Sequence, residues 1–323
     1  MWIQDILAKK KTIFALSPMA DMTDSPFCQI VRMIGGADVV FREMVSSEAI
    51  VRENAKTMGM TDFVESERPI VQQLFGADPL TMANAAEIVM RHAGPEGIDI
   101  NMGCPVYKIT SNFNGCALMK EPSRAAGIIR EVKRAIGATP LSVKIRLGWS
   151  DPDEFRTFIP IIEEAGADLI TLHGRTKVQG YAGVSDWDRI QEAKKIATVP
   201  LLANGDIHEP SEVWEALDQT HADGVLIARG ALGNPWFFSL AHPLAQQVDL
   251  KEKMRIIREH ARLHLVHYGR GNLITFRKHL AWYFKASRLG CEIPHIKEIR
   301  ACLMQVNNFS ELESVLERVA PLQ

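Results

Sequence analysis

The sequence of 323 residues has few of the features that mark exported, disulfide-bonded or membrane-spanning proteins. Its five cysteines are an odd number, are widely scattered and include no C-x-x-C pair, so neither a disulfide framework nor a zinc site is indicated. No stretch approaches the roughly 18 uninterrupted apolar residues of a membrane helix, and the apolar run at residues 12–20 contains Ser17 and Pro18. We therefore expect a soluble, reduced, cytoplasmic protein.

The net charge is also small, at −2, but it hides an uneven distribution. Residues 245–323 contain 13 Lys and Arg against 8 Asp and Glu, a charge of +5, which leaves −7 for residues 1–244. Five of the ten histidines lie in this same tail. A polyanion would be attracted to the tail, whereas the rest of the chain does not have the charge of a nucleic-acid binder.

What the sequence does have is an alternation of short apolar runs with segments that carry helical spacing. Eight runs predict strands: Ile13–Ser17, Asp38–Arg42, Ile70–Leu74, Ile98–Asn101, Leu141–Arg146, Asp168–Leu172, Pro200–Ala203 and Asp223–Ala228. The intervening segments predict helices, among them residues 81–92, 123–136, 154–165, 187–196 and 211–217. Buried strands that alternate with helices indicate a parallel sheet, and eight units in about 220 residues predict a closed (β/α)8 TIM barrel.

The pattern changes after Pro235 to helical periodicity with basic residues on the polar faces. No later segment predicts a strand. We therefore expect a barrel domain over residues 1–243, with the join near His242 and Pro243, and a small C-terminal helical domain over residues 244–323.

Polar residues end most of the predicted strands, at the edge where TIM barrels place their active sites. They are Ser17 before Pro18, Met19 and Ala20; Gln73; Asn101 and Cys104; Lys144 and Arg146; His173 and Arg175; Asn204, Gly205 and Asp206; and Ala228 and Arg229. Glycine beside a polar residue after the seventh and eighth strands is typical of a phosphate site, because small residues leave the backbone N–H groups accessible.

Each of these residues also has an ordinary structural explanation. Lys144 could form a structural ion pair, and Gln73 and Asn101 could be buried amides with satisfied hydrogen bonds. His173 could be a core histidine and residues 204–206 a plain turn. Cys104 could be an inert buried thiol. Their placement at the same end of eight runs favours a common site. Cys116, in contrast, is predicted to be a packing thiol, and Cys28, Cys291 and Cys302 are predicted to lie in the core.

At these strand ends the sequence closely resembles the tRNA-dihydrouridine synthase family. The matching segments are residues 17–24, 73–76, 99–105, 144–146, 172–176, 203–207 and 228–236, joined in the tail by Arg277-Lys278-His279 and Trp282-Tyr283. The stretch from Asn101 to Pro105 and the tail motif are specific to this family, whereas the other segments also suit several FMN-binding barrels. One departure is Ala228, where the family usually has glycine.

The resemblance implies a flavin-dependent oxidoreductase that binds FMN, uses NADPH as reductant and reduces the C5=C6 bond of uridine in tRNA to dihydrouridine. It implies FMN contacts at Pro18, Met19, Ala20, Gln73, Lys144, His173, Asn204, Gly205, Asp206, Ala228 and Arg229. Cys104 would be the proton donor, Asn101 would bind the uracil edge, and Arg175 would stabilise charge on a carbonyl oxygen. The target base would be flipped out of the RNA, with Arg277 and Lys278 on tRNA phosphates.

Two other functions stay open at this point. One is an FMN oxidoreductase of free pyrimidines or small metabolites, resembling dihydroorotate dehydrogenases, which would need neither RNA nor the tail. The other is an RNA-binding protein that has kept the barrel without its activity, against which the presence of Cys104, Lys144 and His173 argues.

Overall fold

The computed structural model describes residues 2–10, 12–242, 247–269, 271–290 and 292–319. Eight parallel strands form a closed barrel in which each strand pairs with the next in the chain and the last pairs with the first. They are β1 (Ile13–Leu16), β2 (Val39–Ser46), β3 (Ile70–Phe75), β4 (Gly97–Met102), β5 (Leu141–Arg146), β6 (Leu169–His173), β7 (Leu201–Asn204) and β8 (Gly224–Ile227). The predicted (β/α)8 barrel and the helical character of the C-terminal part are both confirmed.

Helices connect and surround the strands. They are α1 (Trp2–Lys10), α2 (Ser25–Ile34), α3 (Ser47–Val51), α4 (Ala55–Gly59), α5 (Pro79–His92), α6 (Tyr107–Thr110), α7 (Pro122–Ile136), α8 (Phe155–Glu164), α9 (Trp187–Ile196), α10 (Glu212–Thr220), α11 (Phe237–Leu240), α12 (Leu250–Tyr268), α13 (Arg277–Tyr283), α14 (Ala286–Leu289), α15 (Ile296–Leu303) and α16 (Phe309–Glu317). None of the helices described here combines the length and the hydropathy that a membrane crossing requires.

Acidic residues stand immediately before several strands, which explains why β2, β6 and β8 begin one residue later than predicted. Asp168 and Asp223 each accept the first backbone N–H of the preceding strand in the chain, both at 2.8 Å, and Asp38 accepts that of Phe14, the second residue of β1, at 2.9 Å. The first amide of a strand at the barrel rim has no ladder partner, so a carboxylate satisfies it. These residues therefore close the N-terminal rim of the barrel instead of extending the strands.

The barrel interior changes from apolar to polar along its axis. Helix α1 closes the N-terminal end, where Trp2 and Ile3 pack against inward-facing residues such as Phe41 and Leu202. The alternate inward positions nearer the C-terminal end carry Asp99 and other polar side chains. Because strand side chains alternate between two faces, the same strands supply an apolar floor and a polar upper layer.

The C-terminal helices α12 to α16 form a second apolar cluster, which packs on the barrel through Ile30 of α2. Polar contacts join the two parts as well: the Tyr268 hydroxyl donates to Asp24 at 3.0 Å, and Arg288 pairs with Glu209 at 3.0 Å. The predicted boundary at residues 243 and 244 lies outside the described residues, so the division into domains stays a prediction. Cys28 is buried as predicted, Cys302 is only half-buried, and Cys291 also lies outside the described residues.

Candidate active site

The C-terminal ends of the strands surround a cavity of about 530 Å³, a volume within the range of cofactor sites. The predicted site residues in its wall are Pro18, Met19, Ala20, Gln73, Asn101, Cys104, Lys144, His173, Asn204, Gly205, Asp206, Ala228 and Arg229. Within the described part of the chain, Arg175, Arg277 and Lys278 are not part of this wall. The structure thus brings together every predicted FMN contact and the predicted acid.

The loop that carries Cys104 follows β4 and is held from two sides. The Asn101 side-chain oxygen accepts the backbone N–H groups of Gly103 at 3.2 Å and Cys104 at 2.9 Å. The Arg146 Nε donates to the carbonyl of Gly103 at 2.8 Å. Asn101 therefore positions the loop, and the half-buried Cys104 thiol lies at the cavity wall.

Cys116 lies close to Cys104 in the fold but in a different environment. Its backbone N–H donates to the Cys104 carbonyl at 3.2 Å, while its side chain is fully buried beside Met119. Burial raises the pKa of the Cys116 thiol to about 12. As predicted, Cys116 is a packing residue, since a thiol that neither ionises nor reaches the cavity has no means of reacting there.

Lys144 points from β5 into the cavity and is fixed by an amide. Its Nζ donates to the Asn204 side-chain oxygen at 3.0 Å, and the Asn204 Nδ2 donates to the carbonyl of Leu226 at 2.6 Å. Burial, with a smaller contribution from the nearby Arg146, lowers the pKa of Lys144 to about 8. An ammonium held by a neutral partner remains available to a ligand carbonyl or anion.

His173 ends β6 and is neutral. Burial and then the surrounding cations, Lys144 first, hold its pKa well below the ordinary value. Arg175 Nη1 lies 3.3 Å from His173 Nε2, and because a guanidinium only donates, Nε2 accepts and Nδ1 carries the proton. His173 therefore offers the cavity a neutral imidazole.

The turn after β7 has a backbone that requires glycine at one position and packs closely on its neighbours. Gly205 has φ +115° and Asp206 has φ +54°, both in the left-handed region. A Cβ on Gly205 would lie 2.7 Å from the His173 ring, so no larger residue fits there without movement. Arg229, whose side chain is 44% exposed, lies 3.8 Å from Asp206 across this turn. Gly205 and Arg229 both line the cavity, so a glycine turn and a cation lie together where the sequence predicted a phosphate.

Arg175 is not part of the cavity wall, and its predicted contact with the substrate stays a prediction. It is 2% exposed and bonds both carboxylate oxygens of Asp206, at 2.9 and 2.6 Å, as well as the carbonyls of Ala182 and Gly183. Burial works to raise the pKa of Asp206, but the hydrogen bonds from Arg175 and from the Ser185 backbone outweigh it and hold that pKa below its ordinary value. Arg175 thus supports the turn after β7 from behind.

Comparisons with known proteins agree with this arrangement. A family model described as "Dihydrouridine synthase (Dus)" matches residues 15–322. The chain belongs to the dihydrouridine synthase family. It is 35% identical over 311 residues to "Probable tRNA-dihydrouridine synthase 1" of Synechocystis sp., covering 94% of this chain and 84% of that protein. It is 32% identical over 312 residues to "Probable tRNA-dihydrouridine synthase" of Aquifex aeolicus, covering 95% and 96%.

Solved structures resemble this dihydrouridine synthase family member in fold alone. The old yellow enzyme from Trypanosoma cruzi aligns with a TM-score of 0.55 at 10% identity, over 80% of this chain and 93% of that one. The old yellow enzyme homologue from Zymomonas mobilis aligns with a TM-score of 0.52 at 16% identity, over 75% and 91%. Both likenesses concern the barrel architecture.

Arg146 and Tyr181 are among the cavity residues of this family member to which the sequence assigned no role. Arg146 ends β5, where sequence analysis noted it only as polar, and it holds the Cys104 loop. Tyr181 lies in the loop between β6 and α9; its exposed ring has the guanidinium of Arg146 at 5.5 Å and that of Arg229 at 5.4 Å from its centre. The signal that could have found Tyr181 is its position in a loop that follows a strand end.

The two residues predicted to contact RNA phosphates make intramolecular contacts. Arg277 donates to the carbonyls of Val306 at 2.8 Å and Gln305 at 2.9 Å, which join α13 to the turn before α16. The Lys278 Nζ lies 3.8 Å from the Asp24 carboxylate. Both therefore have structural roles, and their contact with RNA stays a prediction.

Sequence analysis did not foresee a buried histidine cluster at the contact between the barrel and the C-terminal helices, formed by Asp24, His260, His264 and His279. One ligand atom from each of Asp24, His260 and His279 lies within 4.8 Å of the others. Burial holds the pKa of His260 and His279 well below the ordinary value and lowers that of His264 to about 4. The three imidazoles are therefore neutral at pH 7, and the Asp24 side chain caps α2.

Proposed function

We propose that this chain reduces the C5=C6 bond of uridine in tRNA to 5,6-dihydrouridine in the cytoplasm, with FMN in the cavity and NADPH as the reductant. Family membership supports the reaction class. The observation that carries the proposal is the Cys104 thiol on a doubly held loop, at the wall of a cavity that also contains Lys144 and His173. A proton donor, a cation and a neutral imidazole meet there in a space of cofactor size.

The donor set of the cavity fits FMN. Gly205, at a positive φ that favours glycine, lies in the cavity wall after β7, and Arg229 beside it adds a cation, as a phosphate group requires. Lys144 and Gln73 supply donors for the carbonyl edge of the isoalloxazine ring. FMN bound here and reduced by NADPH would supply the hydride that adds to C6 of the uracil.

Cys104 completes the reaction. Addition of hydride to C6 leaves negative charge on C5 and the O4 carbonyl, and a proton must reach C5 for the product to form. We assign that proton to the Cys104 thiol, with solvent returning a proton to the thiolate afterwards. Asn101 orients the thiol through the loop backbone, and Arg146 restrains the same loop from its other side.

The substrate base must leave its stack to reach this cavity, as bases do for other enzymes that modify them. The RNA would then lie across the cavity mouth. Tyr181, with an exposed ring beside two guanidinium groups, would face the RNA there, and the basic C-terminal helices would attract the phosphates.

The test compares Cys104→Ala with its matched control, Cys116→Ala, in purified protein with FMN, NADPH and unmodified tRNA. Losing a positioned general acid costs about a hundredfold to ten-thousandfold, so Cys104→Ala should lose dihydrouridine formation to that extent. FMN content and the oxidation of NADPH by oxygen should persist, because neither needs a proton at C5. Cys116→Ala should stay within a few-fold of the parent protein.

Three outcomes would contradict the proposal. A parent protein that takes up no FMN is not a flavin enzyme. Turnover of free uridine or UMP as efficient as that of tRNA would favour the small-metabolite alternative. An active Cys104→Ala beside an inactive Cys116→Ala would mean that the acid is misassigned.

A further inference from the structure

Asp99 is a buried carboxylate inside the barrel that the proposed chemistry does not use. It lies in β4 level with Gln73 of β3 on one side and Ser142 of β5 on the other. Its side chain is inaccessible to solvent. A fully buried carboxyl group is costly unless its oxygens accept strong hydrogen bonds.

Both oxygens of Asp99 do accept hydrogen bonds. The Ser142 hydroxyl donates to Oδ1 at 2.6 Å, and the Gln73 Nε2 donates to Oδ2 at 2.5 Å. Burial raises the pKa of Asp99 to about 6, although these two bonds and the charge of Lys144 oppose the rise. At neutral pH the carboxyl is therefore ionised and can only accept.

The Asp99 carboxylate sets the orientation of the Gln73 side-chain amide, and through it that of the Asn101 side-chain amide. Because Asp99 only accepts, Gln73 turns its NH2 group toward it and its oxygen toward Asn101. That oxygen accepts the Asn101 Nδ2 at 2.8 Å, so Asn101 turns its own oxygen to the Cys104 backbone N–H. Reversing either amide would set donor against donor or acceptor against acceptor, at the cost of unsatisfied buried groups.

We infer that Asp99 is a positioning residue, whose carboxylate acts through Gln73 and Asn101 to fix the hydrogen-bonding pattern of the cavity wall and to hold the Cys104 loop. Gln73 and Asn101 both line the cavity, so the order of donors and acceptors offered to the flavin ring and the pyrimidine starts from Asp99. The inference rests on the proposed function for its link to the reaction. Its link to the binding of flavin stands on the hydrogen bonds alone.

The first test is Asp99→Asn, which keeps the shape but replaces one acceptor with a donor. Dihydrouridine formation at saturating FMN should fall roughly tenfold to hundredfold, as expected when buried hydrogen bonds are mismatched in the transition state. The matched control is Asp168→Asn, which removes another barrel carboxylate, paired with Lys133 at the opposite rim. The control should lower the melting temperature without changing the FMN spectrum or the rate beyond a few-fold.

The second readout is a pH profile of the visible absorption band of bound FMN between pH 5 and 7. Protonation of Asp99 should change the contacts of Gln73 and shift the band, whereas Asp99→Asn should show one spectrum at all these pH values. Lys144 is the charged group on the neighbouring strand, and its pKa of about 8 keeps it protonated throughout this interval. The band belongs to the ring, so titration of the FMN phosphate does not contribute.

Ser142→Ala keeps the inference testable even if Asp99→Asn fails to fold. The Ser142 hydrogen bond lowers the pKa of Asp99, so its loss should move the midpoint of the parent profile to higher pH. An unmoved midpoint, a parent profile without a transition, or an Asp99→Asn variant with parental rate and profile would each overturn the inference. A parent protein that binds FMN but makes no dihydrouridine would refute the proposed function instead, and the pH profile would still test Asp99.

Discussion

Lys144 should make FMN binding depend on pH in a range where few other groups titrate. Its pKa of about 8 means that the ammonium form is about nine-tenths of the apo-protein at pH 7 and about one-tenth at pH 9. A hydrogen bond from a charged donor stabilises by about 1.5–3 kcal/mol, against about 0.5–1.5 kcal/mol for a neutral one, so losing the proton weakens binding by about 1.4 kcal/mol, or tenfold. Combining the two populations, the dissociation constant of FMN should rise about fivefold between pH 7 and pH 9.

The assay is a titration of apo-protein with FMN, followed by quenching of flavin fluorescence at several pH values. Lys144→Met removes the hydrogen bond altogether, so it should bind FMN roughly tenfold to 150-fold more weakly than the parent protein at pH 7 and should show no dependence on pH up to 9. The control is Lys195→Met, which removes an exposed ammonium on α9 that bonds Gln191 and should leave the parental profile intact.

Two results would refute this reasoning. If the parent affinity does not change between pH 7 and 9, the ammonium does not contact the flavin. If Lys144→Met still loses affinity with rising pH, another group titrates and Lys144 has only a structural role.

Three further predictions concern the turn, the tail and the histidines. Gly205→Ala should purify folded but without flavin, because its Cβ would strike the His173 ring; full flavin content would contradict this. Arg277→Ala should lower the melting temperature by a few degrees through the loss of its carbonyl contacts, whereas a fall of about one in the salt slope of tRNA binding would show a phosphate contact instead. The buried histidine cluster should make the folded protein less stable as pH falls from about 6.5 toward 4. The unfolded histidines bind protons at a higher pH than the folded ones, so the free energy of unfolding is full above the unfolded pKa and decreases as pH falls toward the folded pKa. The control His295→Gln, at an exposed histidine, should leave this denaturation profile unchanged.

Strand positions followed from the sequence because buried parallel strands are short apolar runs that glycine, proline and polar residues interrupt. Asp168 shows why their ends were displaced: a carboxylate beside an apolar run can begin the strand or accept the N–H of a neighbouring strand, and only the paired structure decides. Helix α1 was not predicted, although Trp2 and Ile3 contribute to the barrel floor. Nine residues with mixed polarity predict little until the surface that they cover is known.

In the candidate site, the sequence likewise predicted where residues lie in the fold but not which groups their side chains contact. Strand ends correctly predicted which residues meet at the cavity, because barrel topology collects them there. The direction of each side chain was not predictable. Arg175 follows β6 just as His173 ends it, but Asp206, 31 residues later, binds its guanidinium. Likewise the contact of Tyr268 with Asp24 joins residues 244 positions apart, and no local pattern encodes it.

The charge of the tail illustrates why counting charges predicts a binding surface only in part. The +5 of residues 245–323 includes cations that the fold uses: Arg258 pairs with Glu313 at 3.0 Å and Arg288 with Glu209 at 3.0 Å. Each such cation forms a pair without net charge, so it adds little to the long-range potential and is less available for direct contact with phosphates. On the barrel, Lys120 and Lys177 lie 4.8 and 4.4 Å from the ring of Trp149, so cations are also grouped outside the tail. Attraction by the tail and contact by the barrel rim therefore need not involve the same residues, although the sequence assigned both to the tail.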